Sequence, residues 1–136
     1  MSRVVMDAVR RNACLGIKPE PFPGVGIRFK PRIAALEPDF AELNKLDRLG
    51  IIVTAKGEGY DFVSRFFVPR AGIPEDPVTG SAHTLLVPFW AKRLKKNVLH
   101  AIQISKRRSE LFLEYLGERV LIGGSTATFF QGTIEI

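Results

Sequence analysis

A chain of 136 residues with 46% hydrophobic and 25% charged side chains has the composition of one packed domain and is too short for two comfortable ones. No apolar run approaches the roughly 20 residues that span a bilayer, and Cys14, the single cysteine, excludes an intrachain disulfide and argues against a metal cluster. Twenty basic against 14 acidic residues give +6, a balance open to nucleic acid, to plain solubility or to a small anionic substrate.

Ser2 as an N-cap, with Val5, Val9 and Ala13 along one face, predicts a short N-terminal helix over 2–14. Three prolines within Pro19–Pro23 stop it, so residues 1–17 are assigned to a helix and linker and 18–136 to the main domain. A short strand is expected over 25–30. Pro38-Asp39-Phe40 opens a helix with Leu43 and Leu46 facing inward and Gly50 ending it. Ile51–Ala55 is β-branched, hence a buried strand. After the Gly57-Glu58-Gly59 turn, Tyr60–Val68 reads as a strand with large residues on both faces.

Pro69, Gly72, Pro74 and Pro77 make the next stretch a loop. The longest helix follows, over about 79–95; it is apolar around much of its circumference, as a helix enclosed by a sheet is, and Pro88 is expected to kink it. Strands at 97–104, 110–116, 118–123 and 125–136 complete a meander, with turns at Gly117 and at Gly123-Gly124. The fold class is α+β. The start of the chain, Met1–Asp7, lacks the long apolar stretch of a secretory signal, so the cytoplasm is the expected compartment, with a reduced Cys14.

The most informative stretch is Glu75-Asp76-Pro77-Val78-Thr79-Gly80-Ser81-Ala82-His83, which joins the proline-rich loop to the long helix. Pro77 biases Asp76 toward an extended backbone. Thr79, Gly80 and Ser81 are small, so a ligand can approach the main chain closely. The first N–H groups of a helix lack intrahelical partners and sit at its positive end, which suits a carboxylate or phosphate. The same residues also fit a plain helix start, with Asp76 or Thr79 as the cap and Gly80 allowing the bend. The segment has neither the lysine of a Walker A loop nor three dinucleotide-binding glycines, and no Gly-x-Ser-x-Gly elbow. Lys92, Arg93, Lys95 and Lys96, and then Lys106, Arg107 and Arg108, concentrate the positive charge without an aromatic ladder, which disfavours nucleic acid.

Asp61–Phe67, Pro69, Gly72-Ile73 and Glu75–His83 together resemble the signature of the phenazine-biosynthesis (PhzF-like) family. Trp90, Gln103-x-Ser105, Arg119-Val120-x-Ile122-x-Gly124, Pro38-Asp39-Phe40 and Val53-Thr54-Ala55 fit the same pattern, so the likeness covers most of 36–134. The resemblance implies one half of a diaminopimelate epimerase-like fold, a mostly antiparallel sheet wrapped around a central helix. It implies a cofactor-independent, metal-free proton shift, an isomerisation or epimerisation, on a small substrate bearing amino and carboxylate groups. Carried over, Asp76 is the catalytic and substrate-orienting aspartate, and Gly80, Ser81 and Ala82 complete the substrate-binding set. His83 matches the family segment and is read as a hydrogen-bonded core histidine rather than a base.

The family's general base is a glutamate in an N-terminal half, for which neither Glu75 nor Glu110 is a natural substitute. The resemblance therefore implies a partner, either another copy in a homo-oligomer or a complementary N-terminal half. It leaves two rival readings, a truncated binding or oligomerisation module and a folded remnant without function. Two further departures stand out. Arg107-Arg108-Ser109 occupies positions where the family has an arginine and a glycine pair, and the segment Pro23–Ala35 is shorter and less regular than the family's first strand of this domain.

Overall fold

A computed structural model describes residues 2–9 and 33–134 of the chain. Its elements run β1 (Ser2–Val9), α1 (Phe40–Lys45), β2 (Ile51–Lys56), β3 (Phe62–Phe67), a 3₁₀ turn (Pro69–Ala71), α2 (Gly80–Leu94), β4 (Val98–Gln103), β5 (Ser109–Tyr115) and β6 (Arg119–Thr126). The six strands form one sheet in the order β1-β6-β5-β4-β3-β2. Every neighbouring pair is antiparallel except β3 and β4, which run parallel from Phe62↔Ala101 to Ser64↔Gln103. A parallel pair needs a crossover connection, and α2 is that crossover.

Alternation along the strands sorts side chains onto two faces. Leu99, Ala101, Leu111, Leu113, Val120 and Ile122 turn toward α2 and meet Leu86, Val87, Trp90 and Ala91 around Phe62. Trp90 lies flat on Phe62 at 5.6 Å. Its indole N–H donates to Thr54 Oγ1 at 2.9 Å, and that hydroxyl donates to Val63 C=O at 2.7 Å. A buried indole thus keeps its polar edge satisfied inside the apolar cluster. The opposite face carries a second cluster of Ile33, Ala55, Val63 and Ile102. The sheet is therefore buried on both sides around β3, in keeping with the large residues on both faces of Tyr60–Val68.

The strand expectations hold in position for β2 to β5, but β2, expected to be buried, is an edge strand in which only Ala55 is buried. The long helix falls within one residue of its predicted ends. It continues through Pro88 as far as Leu94 and ends at Lys95, which takes the left-handed conformation at φ 54°.

Four further expectations are corrected. Residues 2–9 are a strand, not a helix: Ser2↔Thr126 through Val9↔Arg119 pair antiparallel, and the otherwise open edge of β6 gives Val4-Val5 a ladder to join. Leu46 is exposed, because the helix stops at Lys45 and Leu46 is already extended. Gly123-Gly124 is no turn but the middle of β6, held between β1 and β5 on both sides. The terminal strand expected over 125–136 contributes only its first residues to β6; residues 127–134 have no regular structure and leave Phe129, Phe130 and Ile134 exposed. Residues 10–14 of the predicted helix, the proline-rich stop, the 17/18 boundary and the strand over 25–30 lie outside the described residues.

Candidate active site

The loop after β3 doubles back along the strand it has just left. Val68 N–H donates to Pro74 C=O at 3.1 Å and Asp76 N–H to Phe66 C=O at 3.0 Å, and Phe67 and Glu75 form an isolated antiparallel bridge. Gly72, at φ 84°, makes the reversal that other residues adopt only with strain. Arg65 then locks the loop to the sheet. Its Nε and Nη2 donate to the two Glu75 carboxylate oxygens at 2.7 and 2.9 Å, a bidentate pair with side chains only 13% and 18% exposed. The remaining Nη1 donates to the carbonyls of Ile33 at 3.0 Å and Leu36 at 2.8 Å, and the guanidinium lies 4.6 Å from the Phe67 ring centre.

Glu75 therefore fixes the residue next to it. Asp76 is half-buried, and its Oδ2 accepts the Thr79 hydroxyl at 2.6 Å. That bond bears on the plain helix-start reading, in which Asp76 or Thr79 caps the helix. Thr79 occupies the N-cap position with an extended backbone, but its hydroxyl is committed to Asp76 and no side chain caps the helix. The Thr79 N–H is taken instead by Gln103 Oε1 at 2.9 Å. Gln103, fully buried at the end of β4, also donates to Asp76 C=O at 2.8 Å and to Thr79 Oγ1 at 3.1 Å. Two residues further on, Ser105 Oγ donates to Pro77 C=O at 2.7 Å. The turn is thus stapled at Asp76, Pro77 and Thr79 to the end of β4 and the residue pair beyond it.

What remains open is the head of α2. The N–H groups of Gly80, Ser81 and Ala82 have no carbonyl a turn behind them to bond. Ser81 is exposed, and a Cβ added at Gly80 would meet nothing within 4 Å. Ala82 turns its methyl group into the core. Asp76, Gly80 and Ser81 thus lie within one short turn at the head of α2, with Asp76 tied to the N-cap residue, whereas the Ala82 side chain is buried.

His83, one turn into the helix, is fully buried. Its Nδ1 lies 2.7 Å from Thr79 C=O, which can only accept, so Nδ1 carries the proton and Nε2 is left to face the Ser64 hydroxyl at 3.5 Å. Burial lowers its pKa from 6.5 to about 4, against the raising effect of the Thr79 bond. It is a neutral core histidine, as read from the sequence.

Sequence reasoning singled out Gln103 and Ser105 without giving them a task, and it missed the Arg65–Glu75 pair. A glutamine at the end of the apolar run Val98–Ile102 was the available signal, since a buried polar side chain needs dedicated partners. Among the described residues no group of three or more His, Cys, Asp or Glu side chains is placed to hold a metal ion, and no helix is long and apolar enough to cross a membrane.

Comparison with known proteins gives this geometry its context. The family model for phenazine biosynthesis-like proteins matches residues 25–132. An uncharacterized isomerase of Pseudomonas aeruginosa is 51% identical over 104 residues, covering 76% of this chain and 40% of the relative. A human phenazine biosynthesis-like domain-containing protein is 44% identical over 92 residues, covering 62% of this chain and 32% of its own length. The crystal structure of a PhzF-family protein from Enterococcus faecalis superposes with a TM-score of 0.80 at 37% identity, over 98% of this chain and 58% of the other. The chain thus spans about two fifths of the length of the curated isomerases it matches. By sequence and by fold, it belongs to the phenazine biosynthesis-like, or PhzF-like, family.

Proposed function

We propose that this chain supplies the substrate-binding wall of a cofactor-independent proton-transfer site, an isomerase or epimerase acting on a small substrate with amino and carboxylate groups. One observation carries the reading: a carboxylate, Asp76, is bonded to the N-cap residue of the uncapped helix α2, beside open space at Gly80. Asp76 is positioned to take an ammonium group. The N–H groups of Gly80 and Ser81, at the positive end of the helix, suit a carboxylate. Two opposite charges on a small molecule are thereby held in a fixed relation, which orients the C–H bond between them for proton removal.

The proton acceptor comes from elsewhere. Glu75 is locked to Arg65, and Glu110 is held by His100 at 2.6 Å. A general base must lie within hydrogen-bond reach of the proton it takes, and Asp76 is engaged as the orienting group. Following the family resemblance, we infer that the base is a glutamate contributed by a complementary half or by a second copy of the chain, with the cytoplasm as the working compartment. A second reading, a binding or oligomerisation module without chemistry, draws support from the exposed Phe129, Phe130 and Ile134, which suit a protein contact.

The deciding experiment follows α-deuterium uptake from D₂O into a panel of small amino acids. It compares the chain alone, the chain mixed with the N-terminal portion of a full-length relative, and the same mixture with Asp76→Ala. Uptake in the unmutated mixture, or in the chain alone where a second copy supplies the base, and its loss with Asp76→Ala, is the expected result. Binding without uptake in any mixture favours the module, and absence of both rejects the site.

A further inference from the structure

We propose that Lys106 and Arg107 form a cationic rim on this site and select substrates that carry a second acidic group beyond the one seated on α2. This rests on the substrate-binding reading above and names the substrate class within it: a small amino acid with two carboxylates rather than one.

The argument starts from the turn between β4 and β5. Ser105 Oγ donates to Pro77 C=O, the residue beside Asp76, and the same hydroxyl accepts the Arg108 N–H at 3.2 Å. Arg108 N–H also donates to Ser105 C=O at 3.0 Å, which closes a tight turn with Lys106 and Arg107 at its tip. That tip is therefore tied to the Asp76–Ser81 segment rather than merely close in sequence. Consecutive Cα atoms are about 3.8 Å apart, and the Lys and Arg side chains are longer than the one or two residue steps separating them from Ser105.

Charge accounting singles out the same two residues. Arg108 takes a left-handed backbone at φ 53° and donates through Nη2 to the Tyr60 hydroxyl at 3.1 Å. Tyr60 packs against the cluster on the sheet face away from α2, so the Arg108 cation is drawn off to that side. Lys106 and Arg107 are exposed and, among the described residues, make no ion pair or hydrogen bond. The nearby carboxylates are already committed, Glu75 to Arg65 and Glu110 to His100. Two unneutralised cations thus stand on a turn bonded to Pro77, next to a segment that offers one ammonium-seeking and one carboxylate-seeking group. A ligand matching all three features has one amine and two acids.

The test follows the Gly80 and Ser81 amide resonances of the chain during titration with alanine and with aspartate. The same titrations are run on the doubly neutralised variant Lys106→Gln/Arg107→Gln. Both substituted side chains are exposed, and retention of the remaining amide spectrum checks the fold. Aspartate is expected to bind on the order of tenfold more tightly than alanine at low ionic strength, with the gap narrowing as salt is raised. In the variant aspartate should fall to the alanine value while alanine is unchanged. Equal binding of the two ligands by the unmodified chain, or a preference that survives neutralisation, overturns the rim and leaves the carboxylate seat standing. If neither ligand moves Gly80 and Ser81, the seat itself fails and the rim falls with it.

Discussion

Gln103 and Thr79 are joined twice: the glutamine Oε1 accepts the Thr79 N–H at 2.9 Å, and its Nε2 donates to the Thr79 hydroxyl at 3.1 Å while also reaching Asp76 C=O. One side chain thus holds both ends of the turn that presents Asp76. Gln103→Met keeps the approximate volume but strands a buried N–H and a carbonyl. A loss of about 2–4 kcal/mol in urea unfolding is expected, together with loss of amino-acid-induced shifts at Gly80 and Ser81.

The Arg65–Glu75 pair lends itself to a double-mutant cycle. Breaking a buried pair from one side leaves the other charge uncompensated. Because both side chains keep slight solvent exposure, Arg65→Met and Glu75→Gln should each cost about 2–3 kcal/mol. The double variant should cost less than their sum by at least roughly 1 kcal/mol. Strict additivity would mean the pair does not organise the loop.

His83 makes stability depend on pH in a defined direction. Its pKa is 6.5 as a free side chain and about 4 when folded, so between those values the unfolded chain binds a proton that the native state refuses. Stability from this residue is complete above pH 6.5 and declines as pH falls toward 4. Urea unfolding at pH 7 and 4.5, compared with His83→Gln, should show about 2–3 kcal/mol more acid destabilisation in the unmodified chain. Equal pH responses would mean the imidazole is not excluded from water.

Gly80→Ala separates folding from binding. The new methyl group meets open space, and replacing glycine at a compatible backbone position stabilises by about 0.4–1 kcal/mol. The same methyl stands where a carboxylate would approach, so ligand affinity should fall while the melting temperature rises. Unchanged affinity would place the ligand elsewhere.

Lys95 closes α2 in the left-handed conformation that glycine adopts freely. Lys95→Gly should add stability of about 0.5–1 kcal/mol, read as a higher urea midpoint at an unchanged slope.

Much of the site was legible because its signature is local. Glu75–His83 lies in one stretch, and the pairing of small residues with a helix start follows from the order of residue types. The staples were not legible, since Arg65 meets Glu75 only once the loop folds back along β3, and Gln103 and Ser105 reach the turn only once β4 lies beside β3. The N-terminal strand was misread for a related reason. Val5, Val9 and Ala13 suit a helical stripe, and only the edge of β6, more than a hundred residues away, favours the extended form. Gly123-Gly124 carried a turn composition, yet hydrogen bonding from both neighbouring strands overrides that preference.

The parallel alignment of β3 and β4 has a kinetic corollary. Asp76 is held to β3 through Phe66, but the ties to Pro77 and Thr79 come from Ser105 and Gln103, beyond the α2 crossover, so that side of the turn is unanchored until the long-range registry is made. Ordering of Thr79 and the head of α2 should accordingly appear in the same refolding phase as closure of the crossover, later than docking of Glu75 and Asp76 onto β3.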